Sequence, residues 1–121
     1  MAERLSLGRQ EKIKRKQDFK AVFDTGKRYS SSLISLIFAK QLTIQENQPA
    51  RRLGIIASRK VGNAVQRNRL KRFIREVFRV HQHDFKVPVY IVVILKPAAR
   101  EATRESMQAG FLELCKKAHL L

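Results

Sequence analysis

A chain of 121 residues with 44% hydrophobic residues is long enough for one domain with its own core and too apolar for a disordered tail. Its 26 lysines and arginines against 10 acidic residues give a net charge of +16, which favours nucleic acid first and an anionic membrane surface second as the partner. No apolar run approaches the roughly 20 residues of a membrane span, and the N-terminus lacks the apolar core of a secretion signal. The lone Cys115 suits a reducing compartment, so we expect a cytoplasmic protein.

The first part of the chain predicts a basic arm followed by a short helix. Residues 1–17 carry six cations and few apolar residues, which is typical of an arm that is loosely ordered or settles on a partner. Asp18 is placed to cap a helix over residues 19–25, and Gly26 is placed to end it.

Two aromatic residues of this helix, Phe19 and Phe23, lie four positions apart and therefore share one face. They could simply pack in the core. Because Lys16 and Lys20 lie beside them, the rings could instead form a stacking surface for single-stranded bases. The sequence leaves both interpretations open.

Two strands are predicted next, over residues 29–41 and 52–58, with a polar turn over residues 43–50 between them. Apolar residues in the first run scarcely alternate, which predicts partial cover on both of its faces. We expect the two strands to pair as an antiparallel hairpin. After the second strand, Gly62 lets the backbone turn and Asn63 is placed to cap a helix.

The segment after Asn63 predicts an amphipathic helix that ends near residue 80. Six basic residues lie between positions 67 and 79 against a single acid, Glu76. Like charges four residues apart on a helix repel by a few tenths of a kcal/mol per pair, so stability alone would not select this pattern. A polyanion along this face would remove the repulsion and release counterions, whereas the alternative is a solvated surface. The apolar side of the helix is formed by Leu70, Phe73, Ile74, Val77 and Phe78.

The last third of the chain predicts a turn, a buried strand and a helix. His81 and His83 could form half of a metal site, but no further His or Cys stands at ligand spacing, and we favour a solvated turn. The continuous apolar run over residues 89–95 is typical of a strand buried on both faces. Pro97 opens the final helix. Its predicted packing side comprises Met107, Phe111, Leu112, Leu114 and Cys115.

These elements predict one α+β domain over residues 1–121, with the order α-β-β-α-β-α. A strand, a crossover helix and a further strand imply a mixed sheet with helices mainly on one face. Because the apolar side of the crossover helix must cover that sheet, its cations should face outward.

The sequence indicates a binding protein more than a catalyst. It contains no nucleophile beside a base, no paired carboxylates in an apolar setting and no phosphate-binding glycine loop. A ribosomal or RNA-chaperone protein would share the charge and the arm, but would not need an aromatic cleft. A DNA-binding regulator would need a helix-turn-helix and usually a dimer, whereas the basic helix here is flanked by strands.

The run from Gly62 to Arg72, continuing to Arg75 and Glu76, closely resembles the Arg-Asn-Arg signature of the bacterial ribonuclease P protein subunit. Three other segments of the family pattern match this chain, at residues 18–26, 52–60 and 90–97. The resemblance implies a ribosomal-protein-like sandwich with a left-handed βαβ crossover.

The resemblance also implies a role in the ribonuclease P holoenzyme, the endoribonuclease that removes the 5′ leader from precursor tRNA. The RNA subunit would hold the active site and most of the Mg²⁺, and the protein alone would bind no metal. One protein monomer would bind one ribonuclease P RNA, together with the precursor tRNA and without any membrane.

Two sets of contact residues follow from the resemblance. The crossover helix would bind the RNA subunit through Arg67, Asn68, Arg69, Lys71, Arg72 and Arg75. A cleft between the first helix and the sheet would bind the leader through Lys16, Phe19, Phe23, Ile37, Ser58, Lys60 and Lys96. Ser58 departs from the pattern, because some relatives carry a cation there.

Overall fold

The computed structural model describes residues 12–13, 16–40 and 51–121. Most of the predicted arm and the predicted turn over 43–50 lie outside the described residues. The elements are α1 (Lys16–Thr25), β1 (Lys27–Ser30), β2 (Ile34–Lys40), β3 (Arg51–Ile56), α2 (Ala64–His81), β4 (Val89–Leu95), a 3₁₀ helix (Pro97–Glu101) and α3 (Arg104–Lys117).

The four strands form one mixed sheet in the order β1-β2-β4-β3. β2 is antiparallel to both β1 and β4, whereas β3 runs parallel to β4, with Leu53 opposite Ile91. The predicted hairpin between the strands at 29–41 and 52–58 is therefore wrong, because β4 lies between them. The parallel pair β3 and β4 requires a crossover, and α2 supplies it.

The prediction of a single strand over residues 29–41 is also wrong, because a turn divides this part of the chain into the hairpin of β1 and β2. Its turn is built by Ser31, whose hydroxyl accepts the N–H groups of Leu33 and Ile34, each at 3.3 Å. Serine hydroxyls compete for backbone groups in this way and so break an extended run. The expected cover on both faces is confirmed for β2, whose residues from Ile34 to Phe38 are all buried.

Helices cover both faces of the sheet. α2 and α3 pack on one face against a core that includes Leu36 and Val93. α1 packs on the opposite face, where Val22 meets Ile37 and Val92. The prediction of a mixed α+β sheet is confirmed, and the expectation that helices lie mainly on one face holds for α2 and α3 but not for α1.

Both ends of α1 can be compared with the prediction. Gly26 follows the helix as expected, but the helix begins at Lys16, so Asp18 lies in its first turn and does not cap it. A carboxylate suits that position because of the positive end of the helix dipole. Asp18 Oδ2 also lies 3.8 Å from Arg52 Nη1 of β3.

The C-terminal helix is divided where one helix was predicted. The 3₁₀ helix opened by Pro97 stops before Ala102, which is extended. α3 then begins after Thr103, whose hydroxyl accepts the N–H of Ser106 at 3.1 Å. A threonine cap restarts the helix because its oxygen satisfies a free N–H of the first turn. Of the predicted packing side, all members except the half-buried Leu112 are buried.

The start of α2 confirms the predicted cap. Asn63 Oδ1 accepts the N–H of Gln66 at 2.8 Å, and Gln66 Oε1 accepts the N–H of Asn63 at 2.9 Å. Gly62 precedes this pair with a φ of 157°, and a Cβ there would lie 2.3 Å from Gln66 Oε1. The glycine is therefore required both for its backbone angle and for room.

We expect Asn63→Ala to lower the free energy of unfolding by about 1 kcal/mol, because it removes one half of this capping pair. Urea unfolding of the free protein measures the change. Asn68→Ala, inside the same helix and exposed, is the control. It should cost less than about 0.5 kcal/mol, since alanine favours helix. An equal loss from both variants would contradict a capping role for Asn63.

Candidate nucleic-acid interface

The outward side of α2 carries the cations that the sequence singled out. Asn68, Arg72 and Arg75 are exposed, whereas Arg67, Arg69 and Lys71 are half-buried. The apolar side is buried at all five predicted positions. The helix therefore lies with its apolar side on the core and its cations outward, as predicted.

These cations are not neutralised by carboxylates within residues 12–13, 16–40 and 51–121. None of the arginines and lysines predicted on α2 to bind RNA forms an ion pair there. The one acid of the helix, Glu76, instead lies 3.4 Å from Arg104 Nε of α3. The repulsion along the helix is thus left for an external anion to relieve.

Arg69 differs from Arg72 and Arg75 because its guanidinium has internal partners. Its Nη2 donates to the carbonyl oxygen of Arg100 at 3.1 Å, and its Cζ lies 5.4 Å from the centre of the Phe73 ring. Arg100 in turn donates from Nε to the carbonyl of Val61 at 2.8 Å. Arg69 therefore helps to join the start of α2 to the 3₁₀ helix. Its guanidinium is less available to RNA than those of Arg72 and Arg75.

A second candidate surface lies on the other face of the sheet, along α1. Lys16, Phe19 and Phe23 line an open groove of about 380 Å³ together with Lys20 and Ile56. Phe23 is 42% exposed, whereas Phe19 is half-buried against the sheet. The sequence left open whether the two rings pack in the core or form a stacking surface. Phe19 is partly packed against the sheet, whereas Phe23 presents its ring to the groove.

Gly54 of β3 sets the position of the Phe19 ring. A Cβ at Gly54 would lie 2.6 Å from Phe19 Cε1, which is closer than carbon atoms can approach. The bare backbone lets the ring lie directly on the strand. Gly54 was part of the family pattern, but its role was not predicted, because only the packing of α1 on β3 reveals it.

We expect Gly54→Ala to displace the Phe19 ring and to reduce any binding that depends on it. Gly110→Ala in α3 is the matched control, since a Cβ there meets nothing within 4 Å. The control should stabilise the protein by about 0.5–1 kcal/mol, because alanine favours helix over glycine. Fluorescence titration of both variants with single-stranded RNA tests this. Equal affinities would show that the ring position does not matter.

The remaining predicted leader contacts lie at one end of the sheet. Ser58 and Lys60 follow β3, and Lys96 follows the parallel strand β4, so all three leave the sheet at the same edge. Ser58 and Lys60 are exposed. Lys96 is half-buried, and its ammonium donates to the carbonyl of Ser31 at 2.5 Å. Lys96 therefore also holds the β1–β2 turn.

Ile37 cannot be a direct contact of a bound RNA strand. It is 3% exposed and lies beneath α1 beside Val92. The alternation of β2 does point it toward the predicted cleft, but α1 covers that row of the sheet. The next residue on the same face, Ser35, pairs with Ile94 beyond the helix.

Other reactive side chains offer no second site in the described part of the chain. No group of three or more His, Cys, Asp or Glu residues there could hold a metal ion. His81 Nδ1 lies 3.1 Å from Asp84 Oδ2 in the turn after α2. Burial raises the pKa of the Cys115 thiol to about 12, so it stays protonated at neutral pH and is a poor nucleophile. No described helix has the length and apolarity needed to cross a membrane.

Comparison with known proteins agrees with these features. The sequence model of the family Ribonuclease P matches residues 7–119. The chain is 36% identical over 115 residues to the ribonuclease P protein component of Brevibacillus brevis, covering 95% of this chain and 88% of that protein. It is 38% identical over 109 residues to the ribonuclease P protein component of Bacillus pumilus, covering 87% and 88% of the two chains.

Solved structures show the same relationship. The ribonuclease P protein of Staphylococcus aureus superimposes with a TM-score of 0.81 at 31% identity, covering 91% of this chain and 96% of that chain. The protein from Thermotoga maritima gives a TM-score of 0.74 at 29% identity, covering 88% and 96%. Agreement in sequence and in fold over nearly the whole length shows that the chain belongs to the ribonuclease P family, as a protein component of that tRNA-processing ribonuclease.

Proposed function

We propose that this chain binds the RNA subunit of ribonuclease P through α2 and the 5′ leader of precursor tRNA through the groove along α1. It thereby assists endonucleolytic removal of the leader in the cytoplasm, as one protein bound to one RNA subunit. The observation that carries the proposal is the presence of two separate RNA-binding chemistries on opposite faces of one sheet.

The α2 surface suits a folded RNA because it offers fixed positive charge. Arg72 and Arg75 are exposed and have no carboxylate partner within the described residues. A folded RNA presents dense phosphates, and neutralising them releases condensed counterions. Asn68 lies beside these cations and can both donate and accept hydrogen bonds. The helix is therefore proposed as the contact with the RNA subunit.

The α1 groove suits a single strand of variable sequence. Leaders differ in sequence, so their recognition should depend on phosphates and base faces more than on base edges. Phe19 and Phe23 supply aromatic faces, and Lys16 and Lys20 supply charge at the same groove. This pairing of rings with lysines supports the leader as the ligand of the groove. Ser58, Lys60 and Lys96 extend the proposed leader contact beyond Ile56.

Arg75 connects the two proposed surfaces around the edge of β3. It lines a small pocket of about 150 Å³ with Lys12, Phe19, Leu53 and Gly54, among others. The same arginine is thus exposed on α2 and adjacent to the ring that is proposed to stack on the leader. RNA bound on α2 and a strand bound along α1 would approach each other here.

The chemical step is proposed for the RNA subunit and the Mg²⁺ that it holds. Phosphodiester hydrolysis by paired metal ions needs several carboxylates, or equivalent oxygen ligands, around the metals. The carboxylates of the described residues are dispersed, as Asp18 pairs with Arg52 and Glu76 with Arg104. Phosphate oxygens of the RNA would supply the ligands instead.

Reconstitution tests the proposed function directly. The protein is added to a bacterial ribonuclease P RNA at a low Mg²⁺ concentration, and 5′ cleavage of precursor tRNA is followed. We expect cleavage to rise on addition of the protein, because the protein improves binding of substrate and metal.

A basic RNA-binding protein of another fold, at equal concentration, is the control for charge alone. The proposal fails if the control stimulates cleavage equally, which would favour a general RNA-chaperone role. It also fails if neither protein stimulates cleavage.

A further inference from the structure

A row of paired side chains crosses all four strands and meets the groove along α1 at Ile56. Ser30 of β1 pairs with Ser35 of β2, Ser35 pairs with Ile94 of β4, and Ile94 pairs with Ile56 of β3. Directly paired residues point to the same face of a sheet. This row lies next to the row covered by α1, in which Ile37 pairs with Val92.

This row changes from apolar to polar along its length. Ile56 and Ile94 form its apolar end, beside the phenylalanines of α1. The two serines form its polar end, where their hydroxyl oxygens lie 2.9 Å apart. Ser35 is only 1% exposed, so its hydroxyl depends on protein partners.

Arg28 lies beside the polar end of this row. Its Nη2 donates to Ser35 Oγ at 3.2 Å, and this bond fixes the guanidinium above the β1 edge of the sheet. Arg28 is exposed and has no carboxylate partner within the described residues. A guanidinium has five N–H donors, so most remain for an anion.

We propose that Arg28, held by Ser35, whose hydroxyl also contacts that of Ser30, binds a phosphate of the leader where the strand passes from the groove toward β1. This inference rests on the proposed function of the groove. Bases would stack at the Phe19 end, and the backbone would be held at the Arg28 end. Neither Arg28 nor the two serines were candidates from the sequence, because their role depends on which row α1 leaves open.

The geometry sets how long a leader must be to reach Arg28. Phe19 lies on Gly54 of β3, and Arg28 lies on β1, three strands away. At about 4.8 Å between strands, the two ends are roughly 14 Å apart. This equals about four stacked nucleotides at roughly 3.4 Å each. A leader shorter than this span would contact the rings without reaching the arginine.

Lys27 provides a matched control from the same strand. It is exposed and carries the same charge, but it pairs with Phe38, which belongs to the core on the α2 and α3 side. Its side chain therefore points to the opposite face of the sheet. Lys27→Ala and Arg28→Ala remove equal charge from adjacent positions, and only Arg28 lies on the α1 face of the sheet, because it pairs with Ile37.

The experiment measures the affinity of reconstituted holoenzyme for precursor tRNAs with leaders of one to ten nucleotides. With long leaders, Arg28→Ala should weaken binding by about tenfold, the loss expected for one charge-assisted hydrogen bond. With the shortest leaders and with mature tRNA, affinity should not change. Arg28→Lys should recover part of the loss. A methylphosphonate at the contacted phosphate should weaken wild-type binding but have no further effect on Arg28→Ala.

Several outcomes would overturn the assignment. The first is an equal loss at every leader length, or an equal loss with Lys27→Ala, since either would indicate long-range charge only. The second is a lower thermal stability of Arg28→Ala with an unchanged dependence on leader length, since Arg28 would then serve only to cover Ser35. If Phe19→Ala weakens binding of precursor but not of mature tRNA in these cases, only the Arg28 site fails. If Phe19→Ala weakens both equally or neither, the proposed function of the groove fails as well.

Discussion

Replacing Arg72 or Arg75 by alanine is expected to weaken binding to ribonuclease P RNA by about tenfold for each residue, as for the loss of one hydrogen bond to a charged group. Both side chains are exposed on α2. Removing one phosphate contact should also lower the slope of log affinity against log salt by about one unit. Filter binding or fluorescence titration at several salt concentrations measures both quantities.

Lys116→Ala is the control for net charge, because Lys116 is exposed at the far end of α3. It should leave the salt dependence nearly unchanged. Arg69→Ala should behave differently from both, since Arg69 also donates to the carbonyl of Arg100. Its loss should lower stability as well as affinity. If the salt dependence of Arg72→Ala and Arg75→Ala stays as steep as that of the wild type, α2 is not the RNA face.

Replacing Phe19 by alanine is expected to weaken binding of precursor tRNA by about tenfold and to leave binding of mature tRNA unchanged. A base stacked on an aromatic ring contributes about 1–3 kcal/mol, and only the precursor carries a leader. Competition binding of the two tRNAs to the reconstituted holoenzyme measures the difference.

Phe19→Leu separates stacking from packing, because leucine keeps apolar bulk on Gly54 but has no aromatic face. It should retain most of the stability and still lose affinity for precursor. Val80→Ala, a change to an exposed apolar residue at the end of α2, should affect neither tRNA. Equal losses for precursor and mature tRNA with Phe19→Ala would place the ring in a purely structural role.

Sequence reasoning was accurate where the signal is local. The cap at Asn63 and the end of α2 near residue 80 depend on residues within one or two helical turns of each other. The strand at 89–95 was predicted to its observed bounds, because its apolar run is bounded by Pro88. Sequence reasoning was wrong for the strand at 29–41, because the apolar pattern gave no sign of the turn that the Ser31 hydroxyl stabilises.

The leader site could be predicted only in part. Lys16, Phe19 and Phe23 do line one groove, because their spacing of three and four residues places them on one face of α1. Ile37 is too buried to be a direct contact, although its side chain faces the side of the sheet on which the proposed groove lies. The error arises because alternation in a strand assigns a face, while the helix packed on that face decides which rows remain open.

The amino-acid sequence by itself determined the family, the amphipathic basic helix and the charge that favours a polyanionic partner. The family follows from the resemblance of residues 62–76 to a known signature. The helix and the charge follow from helical period, capping and composition, which are properties of neighbouring residues. Only the tertiary structure decided that β4 lies between β2 and β3, that Gly54 positions Phe19, and that Arg69 is partly occupied by Arg100. Each of these depends on contacts between residues far apart in the chain, and such contacts leave no periodic signal in a single sequence.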